Sequence, residues 1–227
     1  MPLYQVVVRE KVIQQDMYYK DQIILRYTIK YPQFISVYAQ VFLDKLNAFY
    51  RTRAVMYERS NVMNLYQMAM VEYEYSVANQ FPIRQFEAYV DYQVTYNRNC
   101  ALSLYFDQYE YAGGAHGLTI RSSDSWNIQK SRKIELADLF PSREHLKEQL
   151  ADSIISQIDA VYHKEEGIYF EDYAKLVSDT LKINQFYLTP EGVVLYFQEY
   201  DIAPYASGLP TFLLPYAAGG PQAPKCL

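Results

Sequence analysis

One tryptophan, two cysteines, three histidines and eight glycines are all that the 227 residues offer of the types that build metal centres, disulfide frameworks and phosphate loops. Two cysteines are too few for a disulfide framework or a four-cysteine zinc site. Cys100 falls in a predicted strand and Cys226 in a terminal tail rich in Ala, Gly and Pro, so both are expected as free thiols. His116, His145 and His163 lie far apart without ligand spacing, so no metal and no cofactor is expected. The lysines and arginines form no run, and the net charge is −5. Nucleic acid is therefore not an expected partner. No apolar stretch approaches the ~20 residues that a membrane helix needs. The start, Met1-Pro2-Leu3-Tyr4, lacks the basic residues and apolar core of an export signal. The chain as given predicts no membrane span and a cytoplasmic location.

What is abundant is apolar and aromatic. Half of the residues are hydrophobic and 21% are charged, enough to bury a core in one domain or two closely packed ones. Tyrosine occurs 25 times against 11 phenylalanines. Its β preference and amphipathic ring suit half-buried sheet positions, and equally a surface that stacks on sugars or packs a protein.

The periodicities predict an α+β fold. Gln5 to Ile13 and Gln22 to Tyr31 read as a hairpin around a polar, turn-like stretch at Gln15, Asp16, Lys20 and Asp21. Helical stripes through Ile35, Tyr38, Phe42, Leu46 and Tyr50, then Val62, Leu65, Ala69, Tyr73 and Val77, place two helices or one bent helix over 33–79. Ser60-Asn61 is the expected break, because both side chains compete for helix hydrogen bonds. From Arg84 the period is two. Phe86, Ala88, Val90, Tyr92, Val94 and Tyr96 share a face, Asn97-Arg98-Asn99 makes a hairpin loop, and Cys100 to Tyr111 returns. A strand from Leu118 through Trp126 completes a three-stranded meander. Ser142 is expected to cap a helix with the stripe Leu146, Leu150, Ile154, Ile158 and Val161 or Tyr162. A further helix covers about 171–183. The turn Thr189-Pro190-Glu191-Gly192 joins Gln185–Leu188 to Val193–Gln198, and Thr211 to Tyr216 forms a last strand. The expected architecture is an antiparallel sheet packed with three to four helices, with Val90, Tyr92, Val94, Leu102, Leu104 and Phe106 facing the Leu146 to Val161 stripe.

The candidate site is the loop Gly113-Gly114-Ala115-His116-Gly117. Before it, Tyr105, Asp107, Tyr109 and Tyr111 alternate onto one strand face while Leu102, Leu104 and Phe106 take the other. After it, Arg121 returns toward the same region on the neighbouring strand. Asp107, Tyr109, Tyr111, His116, Arg121 and Trp126 are the predicted ligand-binding set, suited to a polar ring-containing ligand or a protein loop. Catalysis is not expected: His116 with Asp107 or Asp124 has the composition of an acid–base pair, but no serine or cysteine nucleophile stands in a recognised context.

The glycine–histidine loop, Trp126-Asn127, Ile134 to Phe140, Phe186 to Gly192 and Tyr200 to Tyr205 with Gly208 together resemble the RsiV-type C-terminal domain of unknown function. The preceding segment resembles the PdaC-type domain. The resemblance implies two parts, 1–98 PdaC-like and 99–216 RsiV-like, and composition marks 217–227 as a flexible tail. Such pairs form the outward-facing half of anti-sigma factors that sense lysozyme, and also precede peptidoglycan deacetylase domains. The resemblance thus implies an extracytoplasmic, cell-wall-related role and supplies no catalytic residues. The resulting expectation is a non-catalytic module that binds a protein such as lysozyme, or a cell-wall glycan. The alternative is a hydrolase of wall-derived material with His116 as general base.

Overall fold

The computed structural model describes residues 5–162 and 167–226, so His163 lies outside the described residues. It is a mixed α+β structure with a six-stranded sheet, ordered β1 to β6 in sequence order, and a separate three-stranded sheet. The chain divides into two compact units that interleave in sequence. Val6–Tyr92 with Phe106–Ile120 forms the N-terminal unit; Gln93–Tyr105 with the chain from Arg121 onward forms the C-terminal unit.

In the N-terminal unit, β1 (Val7–Tyr19) and β2 (Gln22–Ile35) pair antiparallel. Their turn is Lys20-Asp21 at φ 46° and 64°. Two left-handed residues match the right-handed twist of the flanking strands, which fixes a two-residue hairpin. β2 runs on through Pro32 to Ile35. The helical stripe read from Ile35 and Tyr38 therefore begins too early; the helix starts at Gln40. Proline is tolerated within β2 because pairing with the next strand, β3 (Phe86–Arg98), covers only Leu25 to Ile29, leaving Pro32 with a single strand neighbour.

β2 and β3 run parallel, a departure from the antiparallel sheet expected. A parallel pair needs a long crossover, and here it is helical. α1 (Gln40–Tyr57), a π-helical turn (Glu58–Val62) and α2 (Met63–Asn79) follow one another without a gap. Ser60-Asn61 thus falls in the π turn that interrupts the α-helix where the break was expected, without ending the helical run. The buried residues Leu43, Leu46, Tyr50, Ala54 and Tyr57 step by three and four, and the next buried position is Val62, five residues on. The wider π turn absorbs the extra residue, and Leu65 and Ala69 continue the stripe. Gln80, at φ 60°, ends α2 in the left-handed conformation.

The crossover helices cover Val90 and Phe106. Tyr50 stacks on Phe106 with ring centroids 5.4 Å apart, and Val90 lies with Ile29, Tyr50 and Ala54. The expectation that this face meets the Leu146 stripe is corrected: the parallel β2–β3 connection places α1 there.

The stripe packs instead within the C-terminal unit. Leu146, Leu150, Ile154 and Ile158 of α3 (Leu146–Tyr162) join Tyr96, Ala101, Leu136 and residues of the small sheet in one core. Val177 of α4 (Tyr173–Thr180) completes it. The small sheet is an antiparallel meander of β7 (Phe186–Leu188), β8 (Gly192–Tyr196) and β9 (Thr211–Pro215). Gly192 is required at the turn because a Cβ there would overlap the Leu214 carbonyl. β4 (Ala101–Tyr111), β5 (Leu118–Asn127) and the short β6 (Arg132–Lys133) complete the larger sheet.

The cysteines are not free thiols: Cys100 and Cys226 form a disulfide. Cys100 is also not a strand residue. Asn99 and Cys100, at φ 52° and 61°, make the two-residue turn between β3 and β4. The tail that composition marked as flexible is fastened by this bond and by the Gln222 N–H donating to the Leu139 carbonyl at 2.7 Å. Pro221 and Pro224 are buried. Low sequence complexity says nothing about a covalent tether, which is why the expectation failed.

Candidate functional site

The glycine–histidine loop leaves β4 in the N-terminal unit and is held by its own side chains. Tyr111 Oη donates to the Gly114 carbonyl at 3.1 Å. Arg84, just ahead of β3, donates to the Gly113 carbonyl. His116 Nδ1 lies 2.9 Å from the Gly117 carbonyl. The two key glycines are required for different reasons. Gly113 adopts φ 79° above the Phe86 ring, whereas a Cβ on Gly117 would overlap the Tyr109 ring and the Glu110 carbonyl. Tyr109 is thus packed under the loop. His116 is exposed, while Asp107, Tyr109 and Tyr111 are half-buried on the strand face expected for them. Arg84 and Phe86 were not anticipated; Phe86 was legible only as a buried strand residue.

On the other face of the same strand end lies a second polar cluster, which no local pattern of residues brought together. Glu110 Oε1 accepts from Tyr57 Oη at 2.8 Å and from the Asn61 amide at 3.1 Å. One turn along, Glu58 accepts from Tyr27 Oη at 2.6 Å. Burial, and then the carboxylate beside each, push both tyrosine hydroxyls far above the ordinary phenol range. Glu58 and Asn61 belong to the π turn, whose widened spacing aims them at these partners. Both carboxylates thus hold the crossover helices through neutral tyrosines.

Arg121 and Trp126 belong to the C-terminal unit. The Arg121 guanidinium lies 3.9 Å from the centroid of the Tyr105 ring. The Gln198 amide clamps the Arg121 backbone, accepting from its N–H at 2.9 Å and donating to its carbonyl at 2.8 Å. Tyr105 continues into a ring row with Tyr187 and Tyr196, at centroid spacings of 5.1 and 6.2 Å. Alternation along β7 and β8 identified these rings as strand residues, but not that they meet β4. Trp126 lies with the Lys133 ammonium 5.6 Å from its ring. Lys133 in turn pairs at 2.6 Å with buried Asp124. The predicted set is therefore divided: Asp107, Tyr109, Tyr111 and His116 in one unit, Arg121 and Trp126 in the other. Among the described residues no group of three or more His, Cys, Asp or Glu is arranged to hold a metal ion. No helix among them is long and apolar enough to cross a membrane.

Comparison with known proteins fits this architecture. The Bacillus subtilis (strain 168) peptidoglycan-N-acetylmuramic acid deacetylase PdaC is 24% identical over 127 residues, 48% of this chain. Those residues are 27% of the relative, so the chain spans about a quarter of its length. Crystal structures of DUF3298 family members from Bacteroides fragilis and Pseudomonas aeruginosa share the fold at TM-scores of 0.70 and 0.56. Each is 18% identical and is covered over 90% of its length by 93% of this chain. Residues 19–119 match the family described as Deacetylase PdaC, and residues 137–217 match the one described as Protein of unknown function (DUF3298). The chain therefore joins a PdaC segment to a DUF3298 segment that follows it.

Proposed function

We propose that this chain is a non-catalytic binding module of the cell envelope, recognising a cell-wall glycan or a wall-directed protein such as lysozyme through the loop surface of Asp107, Tyr109, Tyr111 and His116. The observation that carries the reading is how the loop is held. Arg84 and Tyr111 anchor its carbonyls, and Tyr109 fills the space under Gly117. A loop fixed in this way presents a preformed surface, which lowers the ordering cost of binding. The PdaC match favours a wall-related setting. The disulfide favours an oxidising compartment over the cytoplasm expected from the chain as given.

Calorimetric titration of the full chain with soluble muropeptides and with lysozyme tests the proposal. One of the two binds, His116→Ala retains most of the affinity, and Tyr109→Ala loses about tenfold or more. Absence of binding to either refutes the reading. So does a turnover of muropeptides that His116→Ala lowers by orders of magnitude, since that is the behaviour of a general base.

A further inference from the structure

We propose that the groove between the β1–β2 hairpin and α1 is a second binding site, specific for a sugar carrying a carboxylate or a phosphate. Strand register defines its wall. Lys11 stands opposite Tyr31 and Arg9 opposite Gln33, and the same parity continues to Gln15 opposite Tyr27. Beside them Pro32 also lines the groove, and Phe34 packs on Tyr50 of α1 with ring centroids 5.8 Å apart. Lys11, Tyr31 and Gln33 from the hairpin meet Asn47 and Arg51 from α1 around a space of about 480 Å³. That is within the usual range for small-molecule sites and fits a sugar ring with its substituents.

The floor is fixed. The Asn47 amide brackets Phe34, accepting from its N–H at 2.7 Å and donating to its carbonyl at 3.0 Å. The polar groups on the walls are not committed. Among the described residues, Lys11, Tyr31, Gln33 and Arg51 have no side-chain hydrogen bond or ion pair. Two carboxylates stand near in sequence, Glu10 opposite Pro32 and Asp44 one turn before the groove on α1, where it accepts from the Gln40 amide at 2.7 Å; neither forms an ion pair with Lys11 or Arg51.

In a chain of net charge −5, Lys11 and Arg51 thus line one groove without an ion-pair partner among the described residues. Lysine and arginine converging from two elements suit one oxyanion, for which charge-assisted hydrogen bonds are strongest. The Tyr31 ring and the Gln33 amide then supply a stacking face and directional bonds for the sugar body. None of the loop residues takes part, so this site and the loop surface stand or fall separately.

The test is calorimetric titration of the full chain at low ionic strength with D-glucuronate, glucose 1-phosphate and glucose. One or both anionic sugars bind saturably, and glucose binds at least about tenfold more weakly. Binding of glucuronate alone identifies a carboxylate ligand, and binding of the phosphate alone a phosphate ester. Lys11→Ala and Arg51→Ala, both at exposed positions, each weaken the anionic sugar about tenfold, while His116→Ala leaves it unchanged. Failure of both anionic sugars to bind, equal binding of glucose, or undiminished affinity in the Lys11→Ala/Arg51→Ala double variant overturns the proposal.

Discussion

Opening the Cys100–Cys226 bond should cost this protein much of its stability. The bond spans a sequence separation of 126 residues. In the chain-entropy description, a loop of that length restricts the unfolded ensemble by about 5 kcal/mol at 25 °C. The Gln222 to Leu139 hydrogen bond, one further tie of the tail, contributes about 1 kcal/mol and cannot replace it. Cys226→Ser is the cleaner perturbation, because Cys226 is exposed whereas Cys100 is buried in a turn at φ 61°. Urea unfolding of the oxidised protein, the reduced protein and Cys226→Ser should give a loss of roughly 3–5 kcal/mol in the latter two. The denaturant slope should rise as well, since an open chain exposes more surface. Thiol titration of the denatured, unreduced protein should find none. If the three unfolding curves superimpose within about 1 kcal/mol, the entropic reasoning is wrong.

Leu104, fully buried on the aliphatic face of β4, should not tolerate Asp: an unpaired carboxylate there costs several kcal/mol, and circular dichroism at 25 °C would show an unfolded chain. Gly117→Ala should lower stability by about 1–3 kcal/mol, because the added methyl meets the Tyr109 ring and the Glu110 carbonyl; a melting temperature equal to the parent's would contradict that packing. Alkali should also destabilise the fold. The unfolded Tyr57 ionises near its ordinary value of 10.0, while burial and Glu110 keep the folded one protonated. The stabilisation is therefore complete below pH 10.0 and declines as the pH rises above it. Denaturation midpoints between pH 9 and 11 would show the fall, less steeply in Tyr57→Phe.

Much of the fold was legible because its signals are local. The β1–β2 hairpin was legible, although β1 runs to Tyr19 through Gln15 and Asp16, which their polarity assigns to the turn; the Thr189 to Gly192 turn marked β7–β8, and the Leu146, Leu150, Ile154 and Ile158 stripe is the buried face of α3. What was missed depends on partners distant in sequence. Nothing local to Val90 or Phe106 says that α1 covers them. The disulfide pairs a turn with the tail, and no spacing rule connects the two. The second strand was read to end at Tyr31, before Pro32, although a proline can sit inside a strand where a neighbouring strand is absent. In the candidate site, alternation placed Asp107, Tyr109 and Tyr111 on one face. It did not reveal that Tyr109 fills the space beneath Gly117, nor that Tyr105 stacks with Arg121 in the other unit.

The π turn at Glu58–Val62 also bears on how the length of this crossover can vary. Removing a single residue between Tyr57 and Val62 would shorten the step from five to four and bring every later buried position back into the regular helical phase. Relatives one residue shorter here can therefore keep the same buried stripe on an unbroken α-helix. What they would give up is the outward swelling that brings Asn61 to Glu110. A single-codon gap at this point in an alignment would mark loss of that contact and not a change of fold.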